Sequence, residues 1–271
     1  MIAKLTIAGQ EHAFALDRGV SLAIATDFQT VGPHHFGAPL AASQPLAVGA
    51  FTGEVATGAS ANCRTISLTP HCTGTHTETV AHLLRAPGDA WRVIPKTLLP
   101  AALITVAPEP ARETRESTVP APWGTDNLIT ERRLRAAFMR NRPFEPRALI
   151  IRTLPNDPAK HSTNATETVP PYFTQEAAHW LVAQNFQHVV LDIPSFDRMQ
   201  DEGKLTGHRI FFGLPATSRD QADVARPSCT ITELAYVPDE VVDGNYALLL
   251  AVPAIGGDAV PSQPVVYPYC K

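Results

Sequence analysis

Prolines punctuate this chain from end to end, and they limit its fold more than any other feature. The 271 residues include 25 prolines, spread along the sequence rather than massed in one linker. Each fixes φ and removes a backbone donor, so long helices and uninterrupted central strands are disfavoured along most of the chain. The expected product is many short elements joined by rigid turns. Between the prolines, β-branched or apolar runs occur at KLTIAG, RTISLTP, ALITVAP, RALIIRT, HVVLDI, RIFFGL, CTITELAYV and YALLLAVP, each bounded by Pro, Gly, Asp or Asn, and all are expected as strands. The spacing predicts a helix over 130–140, capped by Thr130 with Leu134, Ala137 and Phe138 on one side. A second is predicted over 174–184, starting at Thr174 with Glu176 in its first turn and Ala177, Trp180 and Leu181 along one side. Strands outnumber helices in a mixed order, read as a single domain over residues 1–271. Pro-rich connections at 26–62, 108–124 and 154–173 exceed ordinary loop lengths, and such loops serve as lids or dimer arms.

Charge narrows the partners. A net charge of −4, from 22 basic and 26 acidic residues with no dense Lys/Arg cluster, gives no footprint for nucleic acid or an anionic membrane. The N-terminal MIAKLTIAGQEHAFAL lacks an uninterrupted apolar core, and no stretch approaches the roughly 18 apolar residues of a membrane span. A soluble, cytoplasmic protein acting on a small molecule is expected. The cysteines at 63, 72, 229 and 270 form no CxxC pair and no disulfide framework, so reduced thiols are the default. Cys63 and Cys270 receive no role.

Electron-pair donors concentrate in HCTGTHTETVAH, residues 71–82. Its threonines, its valine and Gly74 disfavour a helix, so an extended segment is expected from Thr73 to Val80. In an extended chain Cys72, His76 and Glu78 share one face, while His71 and Thr75 point the other way. Thiolate, imidazole and carboxylate are the side-chain types that bind zinc. His82 has the same parity but lies beyond the ligand run, where it can act as a base. Further ligands are sought elsewhere. In CTITELAYV, alternation puts Glu233 on the side of Cys229, Ile231, Ala235 and Val237, and a buried carboxylate is costly unless paired or metal-bound. His208 opens the apolar run after Gly207 and can project into a cleft. Asp192, Ser195 and Asp197 in VVLDIPSFDRM are expected to orient a ligand histidine. His34 and His35 read as solvated loop residues.

The run CTGTHTETVAH resembles the HxGTHxDxPxH signature of the cyclase family of metal-dependent hydrolases, which includes bacterial kynurenine formamidase and isatin hydrolase. The resemblance continues through YFTQEAAHWLVAQNFQHVVLDIPSFD, His208 and TITEL. It implies metal ligands at Cys72, His76, Glu78, His208 and Glu233, with Glu78 as the metal bridge and His82 as the catalytic histidine. It implies a mixed α/β swivelling domain (β/β/α) with a β-barrel-like, strand-rich core, found as a homodimer or larger homo-oligomer. It also implies cleavage of an amide, formamide, cyclic amide or lactone, with N-formylkynurenine as one substrate of that class, by metal-activated water. Three departures stand out: Cys72 replaces His, Glu78 replaces Asp, and Val80 stands where the motif has Pro. A thiolate favours zinc over manganese, and the longer Glu78 leaves one ion or two open. The rival readings are a metal-free acyl-transfer enzyme with Cys72 as nucleophile and a non-catalytic zinc-binding protein.

Overall fold

The structure is a computed structural model, which describes residues 1–86, 88–138, 142–162 and 169–270. Its centre is the strand Ala148–Thr153, every residue of which is buried. A near-continuous apolar run suits a strand covered on both faces. Leu99–Val106 runs parallel on one side and His188–Leu191 on the other, and Thr230–Glu233 extends the parallel set. His76–Thr79 and then Ala259–Pro261 follow antiparallel at that end. At the opposite end come Gly244–Ala251, Gln263–Cys270, Gln10–Ala15 and Ile2–Ile7, all antiparallel. With Val20–Ser21 beside Gln263–Cys270, the described residues form an eleven-stranded mixed sheet.

That sheet is rolled. Ala259–Pro261 lies at one end and Gln263–Cys270 is third from the other, yet Ser262 alone separates them in the chain. The core divides by strand alternation. Ala102, Ile104, Leu149 and Ile151 pack with Ala177 and Leu181 of the helix Gln175–Ala183 and with Phe211 of the helix Thr206–Phe212. Ala101, Leu103, Ala148 and Ile150 face the other way, against Leu22, Leu248 and Val266. Each buried Leu, Ile or Phe contributes roughly 1.5–3 kcal/mol relative to exposure. The mixed, strand-rich α/β architecture with a barrel-like core is as expected. Among the described residues, no helix is long and apolar enough to cross a membrane.

Most elements fall where the sequence puts them. Thr130 accepts a hydrogen bond from the Arg133 amide to cap Glu131–Ala137, and Thr174 caps Gln175–Ala183 through Ala177. Residues 139 and 140 of the first expected helix lie outside the described residues. RIFFGL is a correction: it belongs to the helix Thr206–Phe212, not to a strand. A short run buried all round reads alike in either conformation, and Phe211 and Phe212 are fully enclosed. Gly213 ends that helix at φ 65°, the left-handed region.

The connection 26–62 contains part of an arm. Ala42–Pro45 pairs with Arg64–Ser67, and Ala47–Val48 with Phe51–Thr52, each a separate two-stranded unit. Val48, Phe51, Val55 and Ile66 of this arm are all exposed.

Candidate metal centre

Register assembles the first part of the cluster. His76 pairs with Glu233 and Glu78 with Ile231 across antiparallel strands, so the two-residue period puts His76, Glu78 and Glu233 on one face. The other face explains the threonines. Thr77 Oγ1 lies 2.7 Å from Thr232 Oγ1 and donates to Ser262 Oγ at 2.9 Å, and Thr75 Oγ1 donates to the Leu234 carbonyl. Every hydroxyl on that buried side has a partner inside the roll.

His208 arrives from the helix Thr206–Phe212. Gly207 permits the approach, because a Cβ there would sit 2.6 Å from Phe196 Cδ1. Asp197 fastens the helix: it accepts from the Gly207 amide at 2.7 Å, the His208 amide at 3.0 Å and His208 Nδ1 at 2.7 Å. Glu233 accepts from the Phe196 amide at 2.7 Å. Asp192 belongs elsewhere, accepting from Thr153 and bonding Lys160 at 2.7 Å.

The approach to the strand departs from the expected extended chain. Pro70–Thr73 is a helical turn, so alternation does not run back to Cys72. His71, whose parity in an extended chain points away, instead lies with Nδ1 3.0 Å from Glu78 Oε2. Cys72 lies apart from these side chains. It is buried, its carbonyl accepts from the His35 amide at 3.0 Å, and among the described residues it joins no group of candidate metal ligands. Burial pushes its thiol up, away from thiolate. His35 is also a correction, being buried rather than solvated. Parity fails at the other end too, because Leu234 adopts φ 53°. Ala235 and Val237 consequently pack on the opposite core from Ile231.

Asp258 went unrecognised in the sequence. Ala259 pairs with Glu78, which sets Asp258 beside Thr79. Its Oδ2 lies 2.9 Å from His71 Nε2 and 3.1 Å from His82 Nδ1, and the two imidazole centroids are 4.2 Å apart. The only local signal is an acid after the paired glycines of AIGGDAV, which reads as a turn.

The candidate ligand sets are His71, His76 and Glu78; Glu78, His208 and Glu233; and His71, His82 and Asp258, with the ligand atoms of each within 4.8 Å of one another. Tautomers are decisive here. In the neutral ring, donation from His208 Nδ1 to Asp197 leaves Nε2 as a lone pair, 2.9 Å from Glu78 Oε1. Likewise His76 Nδ1 lies 3.0 Å from the Gly74 carbonyl, which can only accept, so its Nε2 lone pair faces Glu233 Oε2 at 3.5 Å. Among the described residues, His76 Nε2 and Glu78 Oε1 are buried without a hydrogen-bond partner. A lone pair facing a carboxylate oxygen is relieved either by a proton on the imidazole or by a metal cation between or beside the two groups.

The electrostatics agree. Burial alone would lower His71, but hydrogen bonds to Asp258 and Glu78 outweigh it and raise the imidazole to about 10. Burial likewise opposes the charged forms of Glu78 and His208, yet their mutual attraction prevails. Glu78 is held well below the carboxylate range and His208 well above the imidazole range. Hydrogen bonds from His71 and His82 drive Asp258 down. Three carboxylates converge here, and protonated imidazoles or a bound cation are the two means of balancing them. The donor set therefore fits a divalent metal.

No protein of curated function matches the chain. In fold it is similar to a predicted metal-dependent hydrolase from Bacillus stearothermophilus, with a TM-score of 0.58 and 17% identity over 92% of this chain and 98% of that one. It is similar to isatin hydrolase A from Ralstonia solanacearum at a TM-score of 0.57 and 18% identity, covering 92% and 91%. Isatin hydrolase A from Labrenzia aggregata, bound to benzyl benzoate, gives 0.55 and 13% over 92% and 93%. The model of the Cyclase family, described as "Putative cyclase", matches residues 14–198. That span covers most of the chain, including the His76–Thr79 strand and Asp197, and the protein belongs to the Cyclase family.

Proposed function

We propose that this protein is a metal-dependent hydrolase that cleaves a carbon–nitrogen or lactone bond in a small molecule. The observation that carries the reading is the pair of buried histidines, His76 and His208. Each has Nδ1 committed to a protein acceptor and Nε2 turned toward a carboxylate. His71, His76, Glu78, His208 and Glu233 would hold the metal. The two oxygens of Glu78 face different histidines, Oε1 toward His208 and Oε2 toward His71. This supports a bridging role between two ions. With Cys72 outside the cluster, imidazole and carboxylate donors suit zinc and also admit manganese.

When bound, such an ion polarises a carbonyl oxygen and acidifies water. The chain supplies the rest. His82 is partly exposed and anchored through Nδ1 to Asp258, which leaves Nε2 to take a proton and deliver it to a leaving nitrogen. Asp258 fixes the ring, and Asp197 fixes His208. A pocket of about 180 Å³ is walled by Leu154, Pro155, Pro170, Pro171, Pro194 and Leu234, with Lys160 and Asp192 also on its lining. Leu234 follows Glu233, and His35 of the same wall is close enough to His76 for their charges to interact. A small, flat, mainly apolar ring suits such walls. The likeness to isatin hydrolases supports a cyclic amide, and an N-formyl aryl amine is the second substrate to try. The exposed arm supports a homo-oligomer. The thiol mechanism has less support, since Cys72 is buried with its thiol pushed up.

The test is elemental analysis of protein purified without added metal, together with hydrolysis of isatin and an N-formyl aryl amine before and after chelation. Zinc or manganese in the protein, with activity lost on chelation and restored by the ion, is the expected result. Metal-free protein with chelator-resistant hydrolysis would overturn it.

A further inference from the structure

The helix that brings His208 to the cluster has a second working face. Thr206, Arg209, Ile210 and Gly213 recur at helical spacing on its outer side and line a groove of about 740 Å³. Gln175 and His179 of the neighbouring helix also line it, together with Lys204, Thr217 and Arg219. Four residues of this lining, His179, Lys204, Arg209 and Arg219, are basic or can become cationic, and none is acidic. That composition runs against the chain's net charge of −4.

Arg209 is the key residue. It is only 8% exposed. Its Nε donates to the Lys204 carbonyl at 3.2 Å, and Nη1 donates to the carbonyls of Pro215 and Ser218 at 3.0 and 2.8 Å. The guanidinium is thus held rigidly, while among the described residues Nη2 has no hydrogen-bond partner and the side chain borders the groove. Burial and the nearby charge of Arg219 act against its cationic form, and Asp197 only partly offsets them. Lys204, Arg219 and His179 have no carboxylate partner within salt-bridge distance among the described residues. A preorganised guanidinium with an open donor, flanked by unpaired cations, suits an anion with several oxygens.

We propose that this groove is an anion-binding site, separate from the metal cluster, for a small molecule bearing a phosphate or more than one carboxylate. Its volume accommodates such a molecule. The anion adds its charge to a cationic wall and its oxygens to the Arg209 Nη2 and Lys204 Nζ donors.

Calorimetric titration of the full, metal-stripped chain with inorganic pyrophosphate, and separately with citrate, tests this. Saturable binding to one site per chain is expected, weakening as salt rises. Tighter binding of pyrophosphate assigns a phosphate ligand, and tighter binding of citrate a polycarboxylate. The double variant Lys204→Glu, Arg219→Glu changes only exposed side chains and should weaken binding at least about tenfold. His76→Ala, which alters the metal cluster alone, should leave binding unchanged. No saturable binding of either probe would overturn the proposal. So would binding lost in His76→Ala but kept in the charge-reversed variant, since the anion would then sit at the cluster.

Discussion

The strand His76–Thr79 and the arm 42–67 break the ordinary distribution of polar and apolar groups in opposite senses. The strand buries an imidazole and a carboxylate at 0% and 1% exposure, next to the last strand of the large sheet. The arm leaves Val48 at 63% and Ile66 at 57% exposure on isolated two-stranded units. Neither is stable practice for a lone chain. Buried charge needs a counter-charge, and a two-stranded ribbon needs something packed on it. Both regions therefore point outside the chain, one to a cation and the other to a covering surface. Departures from local consistency concentrate where function lies.

The largest expected effect separates chemistry from metal holding within the cluster. His82→Ala should cut the rate of hydrolysis by about 10²- to 10⁴-fold while metal content stays unchanged. Equal loss of both would make His82 a ligand instead of a proton carrier. Next comes the support beneath the strand's partners. Asp197→Ala removes the acceptor that sets the His208 tautomer and should weaken metal affinity roughly 10- to 100-fold, measured by competition with a chromophoric chelator. Unaltered affinity would show that His208 needs no orientation.

A third experiment sets the cluster against His188, a histidine buried away from it with Nδ1 3.0 Å from Thr230 Oγ1. Burial, with Arg147 and Arg226 nearby, lowers His188 to about 4 from 6.5. The unfolded chain takes up a proton that the fold refuses between those values. Its contribution to stability is therefore present above pH 6.5 and lost as pH falls toward 4. Urea unfolding across that range should show the decline, and His188→Asn should flatten it. The smallest effect on the folded chain belongs to the arm. Phe51→Ser with Ile66→Ser should change unfolding free energy by no more than about 0.5 kcal/mol per site, yet shift the sedimenting species toward monomer. A large loss of stability without a change in association would make the arm part of the fold rather than a contact surface.

Much of this could be read in the sequence, and the boundary has a physical cause. Alternation and capping are local, so the strands around ALIIRT and HVVLDI, the Thr130 and Thr174 caps, and the shared face of His76 and Glu78 follow from neighbours in the chain. The same local reasoning misplaced RIFFGL, because burial on every side erases the period that distinguishes helix from strand. It also favoured Cys72 over His71, because Pro70 starts a helical turn where extended parity was assumed. Asp258 was out of reach: nothing in GGDAV indicates that Ala259 will pair with Glu78.

By itself the sequence determined a proline-broken, strand-rich chain with its donors gathered in one short segment, since backbone preference and side-chain chemistry act over a few residues. Only the tertiary structure decided which donors meet. Contact between His71, Glu78, His208, Glu233 and Asp258 depends on strand register and on one helix approaching over Gly207, and those are set by packing between segments far apart in the chain.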